Sequence, residues 1–130
     1  YLKEQKISPI VILGYELGGT MAVHYLAKTL KHELRGLVLV SLISEPGNSP
    51  LDANINLAAI QIPVLDVFGL NDQESVLKAL IPRRATPNSR HRVLEMVGAD
   101  HSYWGHEEEL IKRIRGWLSL LVASSVSANP

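Results

Sequence analysis

Apolar residues fall into two alternating rhythms along this chain. Short runs of mostly β-branched and aliphatic residues recur at positions 10–13, 36–42, 64–68 and 92–96, the first three nearly continuous. The first three contain so few polar positions that they read as strands buried on both faces of a parallel sheet. Between the first two, residues 19–33 repeat at helical spacing, with Ala22, Leu26 and Leu30 on one stripe and Met21 and Tyr25 beside it. A helix crossing from one parallel strand to the next is the simplest connection of that kind.

The second connection opens on the turn-rich Glu45-Pro46-Gly47-Asn48-Ser49-Pro50, continues as a short helix over 51–60, and stops at Pro63 before the third strand. A third helix is predicted over 74–80, halted by Pro82, and Thr86-Pro87-Asn88-Ser89 reads as a loop. The last helix is the clearest, with Leu110, Ile111, Ile114, Trp117, Leu118 and Leu121 on one face. Glu108 with Lys112 and Glu109 with Arg113 form i,i+4 pairs in the favoured order, and Glu107 to Glu109 sit at the positive end of the dipole. Residues 124–130 are small and mostly polar and are expected to fray, leaving 1–123 as one domain. Strands alternating with helices predict an α/β domain, a three-layer α/β/α arrangement around a mostly parallel four-stranded sheet.

Charge and composition remove several function classes. Thirteen basic and thirteen acidic residues cancel, so no global field favours nucleic acid or an anionic membrane. Arg83, Arg84, Arg90 and Arg92 make a loose cluster that reads as solvated surface rather than a phosphate site. No apolar stretch has the length of a membrane span. Without cysteine there is no thiolate for a metal or redox centre, and His101 and His106 lack the usual metal-ligand spacing, so no cofactor and no metal are expected. The chain opens on Tyr1 with neither a signal peptide nor a start methionine, and is expected to be part of a longer protein.

Candidate chemistry begins at Gly14-Tyr15-Glu16-Leu17-Gly18, which follows the first apolar run and opens the first helix. That is the strand-turn-helix setting of a nucleophile elbow, with glutamate where G-x-S-x-G has serine; the flanking glycines let the backbone approach closely while one side chain projects above the sheet. Downstream, the strand 64–68 leads into a loop with Asp72, and Val97-Gly98-Ala99-Asp100-His101 ends another strand with a histidine. Elbow, acid, histidine, in that order, resembles the α/β-hydrolase superfamily, and specifically the carboxyl-terminal half of its fold. More narrowly, Ile62-Pro63-Val64-Leu65-Asp66, Ile81-Pro82-Arg83-Arg84 and Gly98-Ala99-Asp100-His101 are similar to a bacterial α/β-hydrolase-like family of uncharacterised function, often exported.

The resemblance implies that Glu16 holds the nucleophile position, Asp72 the acid position and His101 the base position, with the Leu17 N–H as an oxyanion donor. In a serine hydrolase the histidine takes the hydroxyl proton while the acid fixes its tautomer, and glutamate has no such proton to give at neutral pH. Glu16 could attack as a carboxylate, as related dehalogenases and epoxide hydrolases do with aspartate, but the extra methylene displaces the attacking oxygen from its place. A second oxyanion donor would come from a loop after an earlier strand, which is expected to precede this chain. Losing one such donor costs about a hundred- to a thousandfold in rate. Strand 10–13, mid-sheet in the superfamily, would here be an apolar edge that pairs with another copy or with a missing amino-terminal half.

Plainer readings stand beside these. Glu16 could be a solvated turn residue, Asp72 the N-cap of the next helix, and His101 a loop histidine. His24 reads as a boundary residue and His32 as a partner of the first helix's C-terminal dipole. Tyr103 and Trp104 either line an acyl pocket or cover the core edge. Ser41, Ser44 and Ser102 are not on the elbow, and Asp66 inside a strand has no functional account. Three classes of function follow: a non-catalytic α/β-hydrolase-like domain, which is favoured; a hydrolase of esters or related acyl compounds whose serine is displaced or replaced; and a carboxylate-nucleophile hydrolase using Glu16. A small acyl or ester compound is the ligand these imply.

Overall fold

Strand register in the computed structural model explains why the apolar runs are nearly continuous. The structure describes residues 5, 9–29, 31–47, 50–79 and 83–127, with side chains through Ser124. The predicted positions Leu30, Leu80 to Pro82 and the tail 128–130 lie outside the described residues. Strands β1 (Ile10–Tyr15), β2 (Leu34–Val40), β3 (Val64–Asn71) and β4 (His91–Asp100) form one sheet in the order β1-β2-β3-β4. Every neighbouring pair is parallel. Among the described residues the chain also forms helices α1 (Leu17–Lys28), α2 (Ala53–Ala58), α3 (Glu74–Leu77) and α4 (Glu107–Ser127).

Pleating sends alternate residues of β2 into two separate cores. Leu37 and Leu39 meet Val23 and Leu26 of α1 with Ala53 and Leu57 of α2. Val38 and Val40 face the opposite way, into a cluster with Val67, Met96 and Tyr103 that Leu110, Ile114 and Trp117 of α4 cover. Both faces of the sheet are therefore dry at its centre, as helix-covered parallel sheets require. Ile111, placed on the apolar face of α4 by its spacing, is instead 55% exposed.

Element boundaries move where side chains settle them. The first helix starts at Leu17, two residues before the expected Gly19, and ends at Lys28, so His32 lies beyond it and is no dipole partner. Helix α2 begins after Asp52, whose side chain caps the N–H groups of Asn54 and Ile55, not at residue 51. β2 is set two residues earlier than expected, and β4 runs four residues past Met96 because its end pairs with β3, Asn71 opposite Asp100. Helix α4 continues through Ser127, past the expected boundary at 124. Among the described residues, no helix is long and apolar enough to cross a membrane.

Arg83 alone departs from the solvated-cluster reading: it is only 1% exposed, and its side chain pairs with Asp66 in the core, whereas Arg84, Arg90 and Arg92 are exposed. Arg84, its neighbour, does lie at the surface, paired with Glu95.

Candidate functional site

Parallel pairing brings the carboxyl ends of all four strands to one edge, where open α/β sheets bind ligands. β1 ends at Tyr15 and α1 begins at Leu17, so a single residue, Glu16, makes the turn between them. It adopts φ 48° and ψ −120°, a strained conformation that costs about 1–3 kcal/mol in a residue with a side chain. Two backbone bonds hold it there: its N–H donates to Val40 at 3.0 Å, and its carbonyl accepts from Thr20 at 3.2 Å. Leu17 is the first residue of α1, where backbone N–H groups have no acceptor within the helix.

Close approach of backbone is real on one side of this turn only. A Cβ on Gly14 would lie 2.5 Å from the Cα of Gly19, whereas one on Gly18 would meet nothing within 4 Å. The glycine that packs against Gly14 is therefore Gly19, not the second glycine of the motif.

Three of the sequence-selected side chains converge across this edge. Nδ1 of His101 lies 2.6 Å from Oδ1 of Asp72, and Nε2 of His101 is hydrogen-bonded to Oε1 of Glu16. Asp72 is fully enclosed at its side chain, His101 is 26% exposed and Glu16 39%. Asp72 is not the helix cap that its position suggested: Gln73 occupies the cap of α3, and the Asp72 carboxylate is taken up by His101, Ser41 and the N–H of Gln73.

Sequence reasoning missed the residues that buttress this set. The Ser41 hydroxyl donates to Oδ2 of Asp72 at 2.5 Å and lies 2.8 Å from the Tyr103 hydroxyl. Ser41 itself sits at φ 50°, fully buried just past β2, supported by its N–H on the Val67 carbonyl at 2.8 Å. Tyr103 is buried, and that burial pushes its phenol up to about 12. It therefore closes the core edge, while Trp104 beside it is 84% exposed. Tyr15 donates its hydroxyl to the His101 carbonyl at 2.9 Å, with its ring 5.5 Å from the imidazole. Burial, and next the Glu16 charge, raise the Tyr15 pKa. A lone hydroxyl inside the apolar run 36–42, as Ser41 is, was the available signal.

Protonation follows from this geometry. A carboxylate can only accept, so an ionised acid at each ring nitrogen favours the doubly protonated imidazolium of His101. Burial opposes that charge, but the hydrogen bonds and charges of Asp72 and Glu16 outweigh it and raise the His101 pKa above the ordinary histidine value. Among the described residues, no cluster of His, Asp and Glu side chains could hold a metal ion.

A one-residue strand-to-helix turn, an acid and a histidine at successive strand ends, and an all-parallel sheet define the class as the α/β-hydrolase fold. Solved structures agree. Est1E from Butyrivibrio proteoclasticus superposes with a TM-score of 0.74 at 14% identity, over 94% of this chain and 66% of its own. The monoacylglycerol lipase of Paleococcus ferrophilus gives 0.69 at 18% identity, over 92% of this chain and 71% of that one. MGS-MChE2, an alpha/beta hydrolase enzyme from a metagenome of lagoon sediments at Mar Chica, Morocco, gives 0.69 at 14%, over 91% and 64%. The chain thus spans about two thirds of the length of these structures, and at such identities they show the fold alone. By sequence the chain belongs to the family described as "Protein of unknown function (DUF3530)", which matches residues 1–120. No curated protein matches it.

Proposed function

We propose that this is a non-catalytic α/β-hydrolase-like domain, whose former reaction centre persists as an ion-paired Glu16–His101–Asp72 relay. The observation that supports it is the placement of His101 between two carboxylates. A histidine that already holds both protons is an acid and cannot act as general base, and the side chain at the turn has no proton for it to take. Glu16 as a carboxylate nucleophile is disfavoured by the same contact, because its oxygen is engaged by the imidazolium that would have to activate water. A serine-directed fluorophosphonate probe should leave the native protein unlabelled. Labelling would overturn the proposal, and a covalent ester trapped on Glu16 and detected by mass spectrometry would establish the carboxylate alternative instead.

The ligand class proposed is a small acyl or ester compound, by analogy with the monoacylglycerol lipase of Paleococcus ferrophilus. Perturbation of the His101 ring signals by a short-chain ester, with no turnover, is the expected behaviour.

Pairing through β1 belongs to the same reading. Among the described residues β1 has a neighbour on one side only, and Leu13, Leu17, Met21 and Tyr25 around it are about half exposed or more. An apolar parallel edge recruits another strand, from a second copy or from sequence preceding Tyr1. A monodisperse monomer in sedimentation at micromolar concentration, with no other chain present, would sink this part.

A further inference from the structure

A buried ion pair in the middle of the sheet takes no part in the Glu16–His101–Asp72 relay. Asp66, in β3, receives Nε of Arg83 at 2.9 Å and Nη2 at 2.8 Å, with both side chains fully enclosed. Nη1 of the same guanidinium reaches two backbone carbonyls, Leu42 at 3.0 Å and Val76 at 3.3 Å. His91 completes the cluster, its Nε2 3.2 Å from Asp66 and its Nδ1 3.0 Å from the Thr86 hydroxyl.

The location of the two carbonyls gives the cluster its meaning. Leu42 follows Ser41, whose hydroxyl donates to Asp72. Val76 lies in α3, the helix that starts two residues after Asp72, and its N–H is bonded back to Gln73 at 3.0 Å. Arg83 therefore ties the loop carrying Ser41 to the loop carrying Asp72, and fastens both to β3. A planar fork with donors on three nitrogens can hold a carboxylate and two carbonyls together, which an ammonium cannot match. Desolvation offsets most of the attraction in a buried ion pair, so stability alone is a weak account of this arrangement.

We propose that Arg83 is a positioning residue for Asp72, fixing through the Leu42 and Val76 carbonyls the two loops that set where the Asp72 carboxylate meets His101. This goes beyond the functional reading above and holds whether or not the site performs chemistry. Two variants of the intact chain test it. Arg83→Lys keeps a cation for Asp66 but gives up the fork. Arg83→Met with Asp66→Asn removes both charges together and leaves an oxygen to accept from His91. Glu16, Asp72 and Tyr15, the groups that face His101, are unchanged in both.

The readout is the His101 ring titration by NMR, with circular dichroism to verify the fold. The expected result is a downward shift of the His101 midpoint relative to wild type in both folded variants. An unchanged midpoint in either folded variant would make Arg83 a core ion-pair partner only and overturn the proposal. Loss of the fold in both would overturn it too, by making Arg83 a requirement of the whole sheet rather than of these loops. Only the difference from wild type bears on Arg83; the wild-type midpoint itself bears on the ion-pair reading of the site.

Discussion

Asp72 and His101 are 29 residues apart in sequence, and their side chains meet at 2.6 Å. The contact is a product of strand register: β3 and β4 are parallel neighbours with Asn71 opposite Asp100, so the next residue of each strand emerges at the same end. A slip of one residue in that pairing would reverse one side chain's facing relative to the other and part the two.

Two groups give stability a pH dependence at opposite ends. His101 titrates above its ordinary value in the fold, so its contribution is complete below about pH 6.5, the unfolded value, and is lost as pH rises through the raised folded one. For Asp66, burial alone would raise the pKa, but the His91 hydrogen bond and the Arg83 charge and hydrogen bonds lower it further than burial lifts it. Its contribution is present above the unfolded value of about 3.8 and is lost as pH falls through the depressed one. Urea denaturation across this range should show a plateau falling at both ends. In His101→Gln the alkaline fall should shrink while the acid fall stays; an alkaline fall of undiminished depth would refute the assignment.

Glu16→Ser tests the proposed loss of chemistry from the other side. Removing one of the two carboxylates at His101 should lower its titration midpoint and return a histidine able to accept a proton. Slow labelling by a fluorophosphonate is then expected where the native chain shows none. Turnover of an activated ester should stay weak, because the second oxyanion donor of this fold comes from a loop outside the described residues and one missing donor costs about a hundred- to a thousandfold. Labelling as fast in the native chain as in the variant would contradict the proposal.

The mostly parallel four-stranded sheet was legible from periodicity, because parallel α/β topology leaves few arrangements for such a pattern, whereas the roles of Glu16, Asp72 and His101 came from the resemblance to the α/β-hydrolase superfamily. The supports of the site were not. Ser41 falls inside the run 36–42 read as the second strand, and only the close approach of β2 and β3 makes it a donor to Asp72. Arg83 sits among arginines that are mostly solvated, so composition argued for the surface. The usable clue was Asp66: a carboxylate within an apolar run must find a buried cation. Which arginine supplies it depends on tertiary placement, and local pattern does not encode that.

The glycines around the turn should separate sharply in stability. Gly14→Ala forces a methyl group to within 2.5 Å of the Gly19 backbone, which cannot rotate aside, and should cost about 1–3 kcal/mol or more. Gly18→Ala meets nothing within 4 Å and lies inside the first turn of α1, so it should be neutral or stabilising by about 0.4–1 kcal/mol through the unfolded chain. Equilibrium urea unfolding of the two variants gives the comparison, and equal destabilisation by both would show that the tight contact is not at Gly14.

Adjacent arginines should respond just as unequally. Arg83→Met leaves the Asp66 carboxylate fully enclosed without its main partner, and breaking a buried pair from one side costs about 3–5 kcal/mol. Arg84→Met removes a pair with Glu95 in which the arginine is 52% exposed, and a surface change of that kind stays within about 0.5 kcal/mol. Because a carboxylate left alone in the core is the cause of the loss, Asp66→Asn should recover part of it when added to Arg83→Met, whereas it should be harmful by itself by stranding the guanidinium. A double-mutant cycle in urea measures that coupling directly. Additive losses at the two positions would mean that Arg83 is held by its carbonyl contacts and owes nothing to the charge of Asp66.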